Sequence, residues 1–223
     1  MGRSTVFDLI GPVMVGPSSS HTAGAVRLGA MARKICGGQI VEAVLTLHGS
    51  FAETGKGHGT NLALAAGLLG MHTDDERIPQ ALAMAEEQGI AIKFRSGDLG
   101  DVHPNTVKIK LKAKEGQEVE VVGSSIGGGR IIIGGIDQFK VEIMGDYYTL
   151  VVLQNDLPGV VAQVSSLIAA TQINIAQMRV SREKKGAHAL MIIETDQAID
   201  PAALALIKKL PAVNQAMAIE PLD

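Results

Sequence analysis

The stretch Tyr148-Thr149-Leu150-Val151-Val152-Leu153, followed by Asp156-Leu157-Pro158-Gly159-Val160-Val161, decides how this chain is built. Six residues dominated by β-branched and apolar side chains read as a strand, and the Asp-Leu-Pro-Gly turn after them opens a helix. That helix places Val160, Val164, Leu167 and Thr171 on one face. Ile173 to Val180 then reads as a strand, Arg182 to Gly186 as a charged hairpin turn, and His188 to Ile193 as a strongly apolar, buried strand. Pro201 to Lys209 is a helix that begins with proline, and Val213 to Ile219 is a final strand. The order is βαββαβ, a split βαβ unit of the ferredoxin-like kind.

Upstream of this unit the pattern is mixed, so the fold class is α+β with two domains, 1–146 and 147–223, joined near Gly145-Asp146. Ala23 to Cys36 reads as a small-residue helix stopped by Gly37-Gly38. Ile40 to Leu47 is a strand, Asn61 to Leu69 a small-sided helix suited to close packing, and Pro79 to Gln88 a further helix before Gly89. Val107, Ile109 and Leu111 alternate with Lys108, Lys110 and Lys112; after Lys114-Glu115-Gly116, Val119 and Val121 alternate with Glu118 and Glu120. Opposite charges on facing strands predict an antiparallel hairpin over 105–122. The glycine-rich run from Ser124 to Gly135 follows a hairpin and lacks both nucleotide-binding spacings, so it reads as a tight bend between strands.

Composition narrows the function. With 46% hydrophobic but only 3% aromatic residues, the core must be aliphatic. A net charge of −3 argues against the broad basic surface of a nucleic-acid binder. No run of 18 apolar residues occurs and the start, MGRSTVFDLIGP, has no signal-peptide core, so a cytoplasmic protein without a membrane segment is expected. The one cysteine, Cys36, excludes an internal disulfide and any all-cysteine metal site built within the chain.

Chemistry concentrates in three histidine-bearing turns. Gly16-Pro17-Ser18-Ser19-Ser20-His21-Thr22 runs into the first helix, where unpaired amides and the helix dipole favour an anion. An imidazole there adds a group that moves protons near neutral pH. On the plainer reading, Ser20 or Thr22 merely caps the helix. His48-Gly49-Ser50 closes a strand, and Thr54-Gly55-Lys56-Gly57-His58-Gly59-Thr60-Asn61 precedes a helix that Thr60 is expected to cap. Glycines on both sides of His58 let backbone approach a ligand closely. Three such histidines, each beside Ser or Thr, are expected to share one small anionic substrate. His72, His103 and His188 lack such surroundings. A histidine-bound zinc site lacks a helical His pair, and a serine nucleophile lacks the Gly-x-Ser-x-Gly elbow; both remain weaker options.

The C-terminal stretch Leu150 to Val161, with Ile173-Asn174-Ile175, resembles the ACT domain, an amino-acid-sensing module. That resemblance implies Asn155, Asp156 and Asn174 as allosteric ligand contacts, commonly across a homodimer interface; an ACT fold used only to dimerise is the plainer outcome. Phe7-Asp8 through Gly24, His48-Gly49-Ser50 and Thr54 to Thr60 resemble the iron–sulfur L-serine dehydratases, and specifically the beta chain of the two-subunit bacterial type. Single-chain relatives carry Lys-Gly-His-His-Thr-Asp where this chain has Lys56-Gly57-His58-Gly59-Thr60-Asn61. The resemblance implies a [4Fe-4S] cluster held by three cysteines of a partner alpha subunit. There L-serine loses water, and the enamine tautomerises and hydrolyses to pyruvate and ammonia. Within it, His21 and His58 are candidates for base and acid in either order, with His48 orienting one of them. Ser18, Ser19, Ser20, Thr22, Lys56 and Thr60 are candidate substrate contacts, and no metal ligand falls in this chain. The rival function is a purely regulatory amino-acid-binding protein, since related domains occur in some phosphoglycerate dehydrogenases.

Overall fold

The computed structural model describes residues 12–54 and 57–222. Contacts divide these into two units: one runs to Asp137 and includes Glu142–Met144, and the other holds Gln138–Val141 and Gly145–Leu222.

In the first unit a π-helical turn, Ser19–Ala23, leads into α1 (Gly24–Cys36). There follow β1 (Ile40–Leu47), α2 (Gly49–Thr54), α3 (Thr60–Leu69), a 3-10 turn (Ile78–Gln80) and α4 (Ala81–Glu87). Then come β2 (Ala91–Ser96), β3 (Thr106–Ala113), β4 (Glu118–Gly127) and β5 (Arg130–Ile136), followed by β6 (Phe139–Ile143), whose residues are divided between the two units. The strands lie in the order β2-β1-β3-β4-β5-β6, with β2 parallel to β1 and β1, β3, β4 and β5 antiparallel in succession. The lysine–glutamate alternation is the register itself: Lys110 faces Glu120 and Lys112 faces Glu118. Lys108 and Lys110 reach the Glu120 carboxylate at 3.2 and 3.0 Å, while Val107, Ile109 and Leu111 are buried beneath.

The pair α1 and α3 forms the helical layer. Their crossing falls on Gly29 and Gly67, each lying against the other helix's backbone. A Cβ on Gly67 would stand inside the contact distance of Val26 O and 2.7 Å from Ala30 N; one on Gly29 would strike Leu64 O. The small-sided sequence of Asn61–Leu69 thus serves a near backbone-to-backbone contact. On its sheet side α1 buries Leu28 against Gly123, whose missing side chain makes the room.

Several local expectations need correction. Helical structure begins at Ser19, and Ser18 is the cap: its extended backbone (φ −145°) lets its hydroxyl accept the His21 N–H, a place expected for Ser20 or Thr22. Helix α3 is capped by Gly59 in the left-handed region (φ 72°) rather than by Thr60, whose hydroxyl is buried. Pro79 lies in the 3-10 turn, and the regular helix starts at Ala81. Helix α2 and strand β2 were not expected. Six residues containing Gly, Ser and Thr have weak helix propensity, and α2 is held by tertiary contact, with Phe51 fully buried and Gly49 (φ 50°) pressed on Pro104.

The second unit is β7 (Tyr148–Asn155), α5 (Val160–Ala170), β8 (Ile175–Arg182), β9 (His188–Thr195), α6 (Pro201–Lys208) and β10 (Val213–Ile219). The sheet order β10-β7-β9-β8 puts the first and third strands at the centre. Its core is Leu150, Val152, Val160, Val164, Ile168, Met191, Ile193 and Ile207. Along α5 the buried face is Val160, Val164 and Ile168; Leu167 is only partly buried, and Thr171 caps the helix from outside it. His188, expected in a buried strand, is exposed at the first position of β9.

Candidate active site

The π-helical turn fixes the first histidine. The Ser18 hydroxyl accepts the His21 main-chain N–H at 3.2 Å, and the Ser18 carbonyl accepts Thr22 N–H at 2.8 Å. Helix α2 receives the imidazole: Ser50 and Thr54, four residues apart and so on one face, bring hydroxyl oxygens to 3.1 and 3.0 Å of His21 Nε2. Between them on the helix, Phe51 meets the imidazole edge-on with ring centroids 5.4 Å apart. Ser18 Oγ lies 3.4 Å from Nδ1 at the other side of the ring.

His58 stands in the exposed turn before α3, its N–H bonded to Thr54 O at 3.0 Å. Its ring centroid is 5.1 Å from that of His21, the planes tilted by 43°. The close crossing of α1 on α3 sets this distance, because each histidine sits just ahead of one of those helices. Burial holds the His21 pKa below its ordinary value of 6.5, the nearness of His58 lowers it further, and a hydrogen bond to the Ser50 backbone partly opposes both. In the unfolded chain His21 titrates near 6.5, so between the two values the unfolded state holds more protons. Stability contributed by the neutral ring is therefore present above that pH and lost as pH falls through the folded value. Melting temperatures at about pH 7.5 and about pH 5.5 should differ less in His21→Asn than in the wild type; an equal or larger difference would contradict the assignment.

His48 looks elsewhere. Its Nδ1 accepts the Leu99 N–H at 3.1 Å, with Asp98 Oδ1 3.6 Å away, in the loop after β2. Ser19 and Ser20 are half-buried in the π-turn. Thr22 is buried against Gly16, and neither its hydroxyl nor that of Thr60 has a hydrogen-bond partner among the described residues. Lys56 lies outside the described residues. Sequence reasoning left Thr54 and Ser50 out of the site; the signal was their i, i+4 spacing, visible only once 49–54 is known to be helical. Leu99 and Asp98 had no such signal. Cys36 is packed at the end of α1, and burial pushes its thiol pKa up. No three His, Cys, Asp or Glu side chains come together to hold a metal among the described residues.

In the second unit Asp156 holds a hairpin. Its carboxylate accepts the Gly186 N–H at 3.1 Å and lies 3.5 Å from Arg182. The Asn174 amide donates to Asp196 at 2.8 Å, and Asn155 N–H donates to Ala212 O. Among the described residues no helix is long and apolar enough to cross a membrane.

Comparison with known proteins identifies the family. The serine dehydratase beta chain family matches residues 5–89, and the ACT domain family matches residues 148–212. A probable L-serine dehydratase beta chain of Bacillus subtilis is 46% identical, covering 96% of this chain and 97% of that one. The L-serine dehydratase beta chain of Peptoniphilus asaccharolyticus is 40% identical, covering 86% and 87%. A D-3-phosphoglycerate dehydrogenase of Synechocystis is 25% identical over 88% of this chain but only 35% of its own length. Identity at that level along the greater part of two such chains shows that the protein belongs to the L-serine dehydratase beta chains, with an ACT domain at its C-terminal end.

Proposed function

We propose that this chain is the histidine-bearing subunit of an L-serine ammonia-lyase, completed by a cysteine-bearing alpha subunit that holds a [4Fe-4S] cluster. One observation carries the reading: the His21 and His58 rings lie side by side, tilted by 43° with 5.1 Å between centroids, at the starts of two helices locked together by Gly29 and Gly67. The chain's own residues do not fit the cluster, since its single cysteine is buried with a raised pKa and a cluster needs a set of thiolates. The ligands must then come from the partner.

Removing the α-proton of serine and expelling its hydroxyl as water needs one group to take a proton and one to give it. A neutral, half-buried His21 is suited to take one. His58, exposed 5.1 Å away, is placed to deliver one to the departing hydroxyl. Serines 18–20 line the place where the substrate carboxylate would rest. His48, tied to Leu99, supports the loop after β2 rather than the pair itself. The ACT domain pairs two copies of the chain and takes a small amino acid, L-serine, at Asn155, Asp156 and Asn174.

A second reading has its own support: the same two-domain stretch matches part of a phosphoglycerate dehydrogenase, where it is joined to a different enzyme. On that reading the chain only regulates. Anaerobic reconstitution with the alpha subunit separates the two. The catalytic reading expects pyruvate formation only when both chains are present; full turnover by the alpha subunit alone would leave this chain a regulatory role. Sedimentation of the purified chain should give a dimer, and a monomer at micromolar concentration would remove the ACT pairing.

A further inference from the structure

The hydrogen bonds around His21 fix which of its nitrogens is bare. Thr54 Oγ1 lies 2.7 Å from the Ser50 carbonyl oxygen and 3.0 Å from His21 Nε2. A carbonyl has no hydrogen to give, so the single hydroxyl proton of Thr54 is committed to Ser50 O, the i−4 bond open to a helical threonine. Toward His21, Thr54 is left only a lone pair. The hydrogen between them must belong to Nε2, and Ser50 Oγ at 3.1 Å shares it.

A neutral imidazole carries one N–H, so Nδ1 is then bare. Its neighbour agrees. Ser18 Oγ accepts the His21 main-chain N–H at 3.2 Å, which leaves the Ser18 hydroxyl proton free to point at Nδ1, 3.4 Å away. The opposite tautomer fits worse on both sides. It would either draw the Thr54 proton off its 2.7 Å contact with the Ser50 carbonyl, or, with Ser50 Oγ donating instead, leave lone pairs of Thr54 Oγ1 and Nε2 facing each other at 3.0 Å; and it would aim two N–H groups at Ser18 Oγ. Phe51, buried and edge-on to the ring, holds the imidazole in this orientation.

We propose that Thr54 is a positioning residue that locks His21 as the Nε2–H tautomer, so that any proton His21 takes or gives at the site moves at Nδ1, on the Ser18 side. The catalytic consequence rests on the proposed role of His21; the tautomer does not. Burial and His58 act in the same sense, since both disfavour the doubly protonated ring.

The test uses the full chain with 15N-labelled histidine and long-range 1H–15N correlation, which separates a bare ring nitrogen from a protonated one. Wild type should show His21 with Nδ1 bare and Nε2 protonated. Thr54→Val, which keeps the shape and loses the acceptor, should move the ring toward a mixture, and Thr54→Ser should restore it. In the reconstituted complex Thr54→Val should lower kcat roughly five- to tenfold with KM little changed, the bias one net hydrogen bond supplies, with Thr54→Ser near wild type. An Nδ1–H tautomer in wild type, or an unchanged tautomer in Thr54→Val, overturns the inference whatever the turnover. A shifted tautomer with unchanged kcat upholds the lock and instead removes His21 from the proton path, so the two failures are distinguishable.

Discussion

Gly67→Ala should destabilise the first unit by about 3 kcal/mol or more, the upper part of the range for overpacking a close contact. The new methyl would meet Val26 O, Ala30 N and Gly29 Cα, all backbone atoms of α1, and no rotamer change relieves a clash with backbone. For a chain of this size that is a fall in melting temperature of roughly 6–12 °C. Activity should suffer beyond the loss of folded protein. The helices can only part, and parting α1 from α3 carries His21 away from His58. Melting by circular dichroism, together with kcat per folded molecule in the reconstituted complex, checks both statements. An unchanged melting temperature would mean that the two helices do not touch as described.

His21→Ala and His58→Ala should each lower kcat roughly 10²–10⁴-fold in the reconstituted complex, the usual worth of a positioned acid or base. The loss should appear at saturating L-serine, because a group that moves a proton acts in the transition state rather than in substrate binding. His58 is exposed, so its replacement should leave the melting temperature almost unchanged, and lost turnover cannot then be put down to unfolding. His103→Ala is the control: that ring accepts the Asn105 N–H on an exposed loop, and turnover should stay within about twofold.

What the sequence made legible is whatever a short period carries. Lys108, Lys110 and Lys112 against Glu118 and Glu120 made the hairpin readable, because side chains two apart share a strand face; the register, Lys110 opposite Glu120, came from the structure. The βαββαβ order was readable for the same reason, each element being long enough to show its own period. The details of the site were not. Three consecutive serines before His21 offer equivalent caps, and only the π-turn chooses Ser18. Helix α2 stays hidden because Phe51 burial, not propensity, makes it helical, and with it hide Thr54 and Ser50. The bond from Leu99 N–H to His48 joins residues 51 apart through a backbone group that every residue type possesses. The sequence pattern brought all three histidine turns to one site; the structure pairs His21 with His58, a meeting that rests on the α1–α3 crossing, while His48 at the end of β1 turns to Leu99 instead.

The most direct measurement of the central claim is turnover at saturating L-serine by anaerobically reconstituted pairs carrying His21→Ala, His58→Ala or both. Two groups that pass protons for one reaction fail as a unit, so the double variant should be little slower than the slower single variant. Turnover that survives both single changes would contradict the account and leave this chain a regulatory subunit.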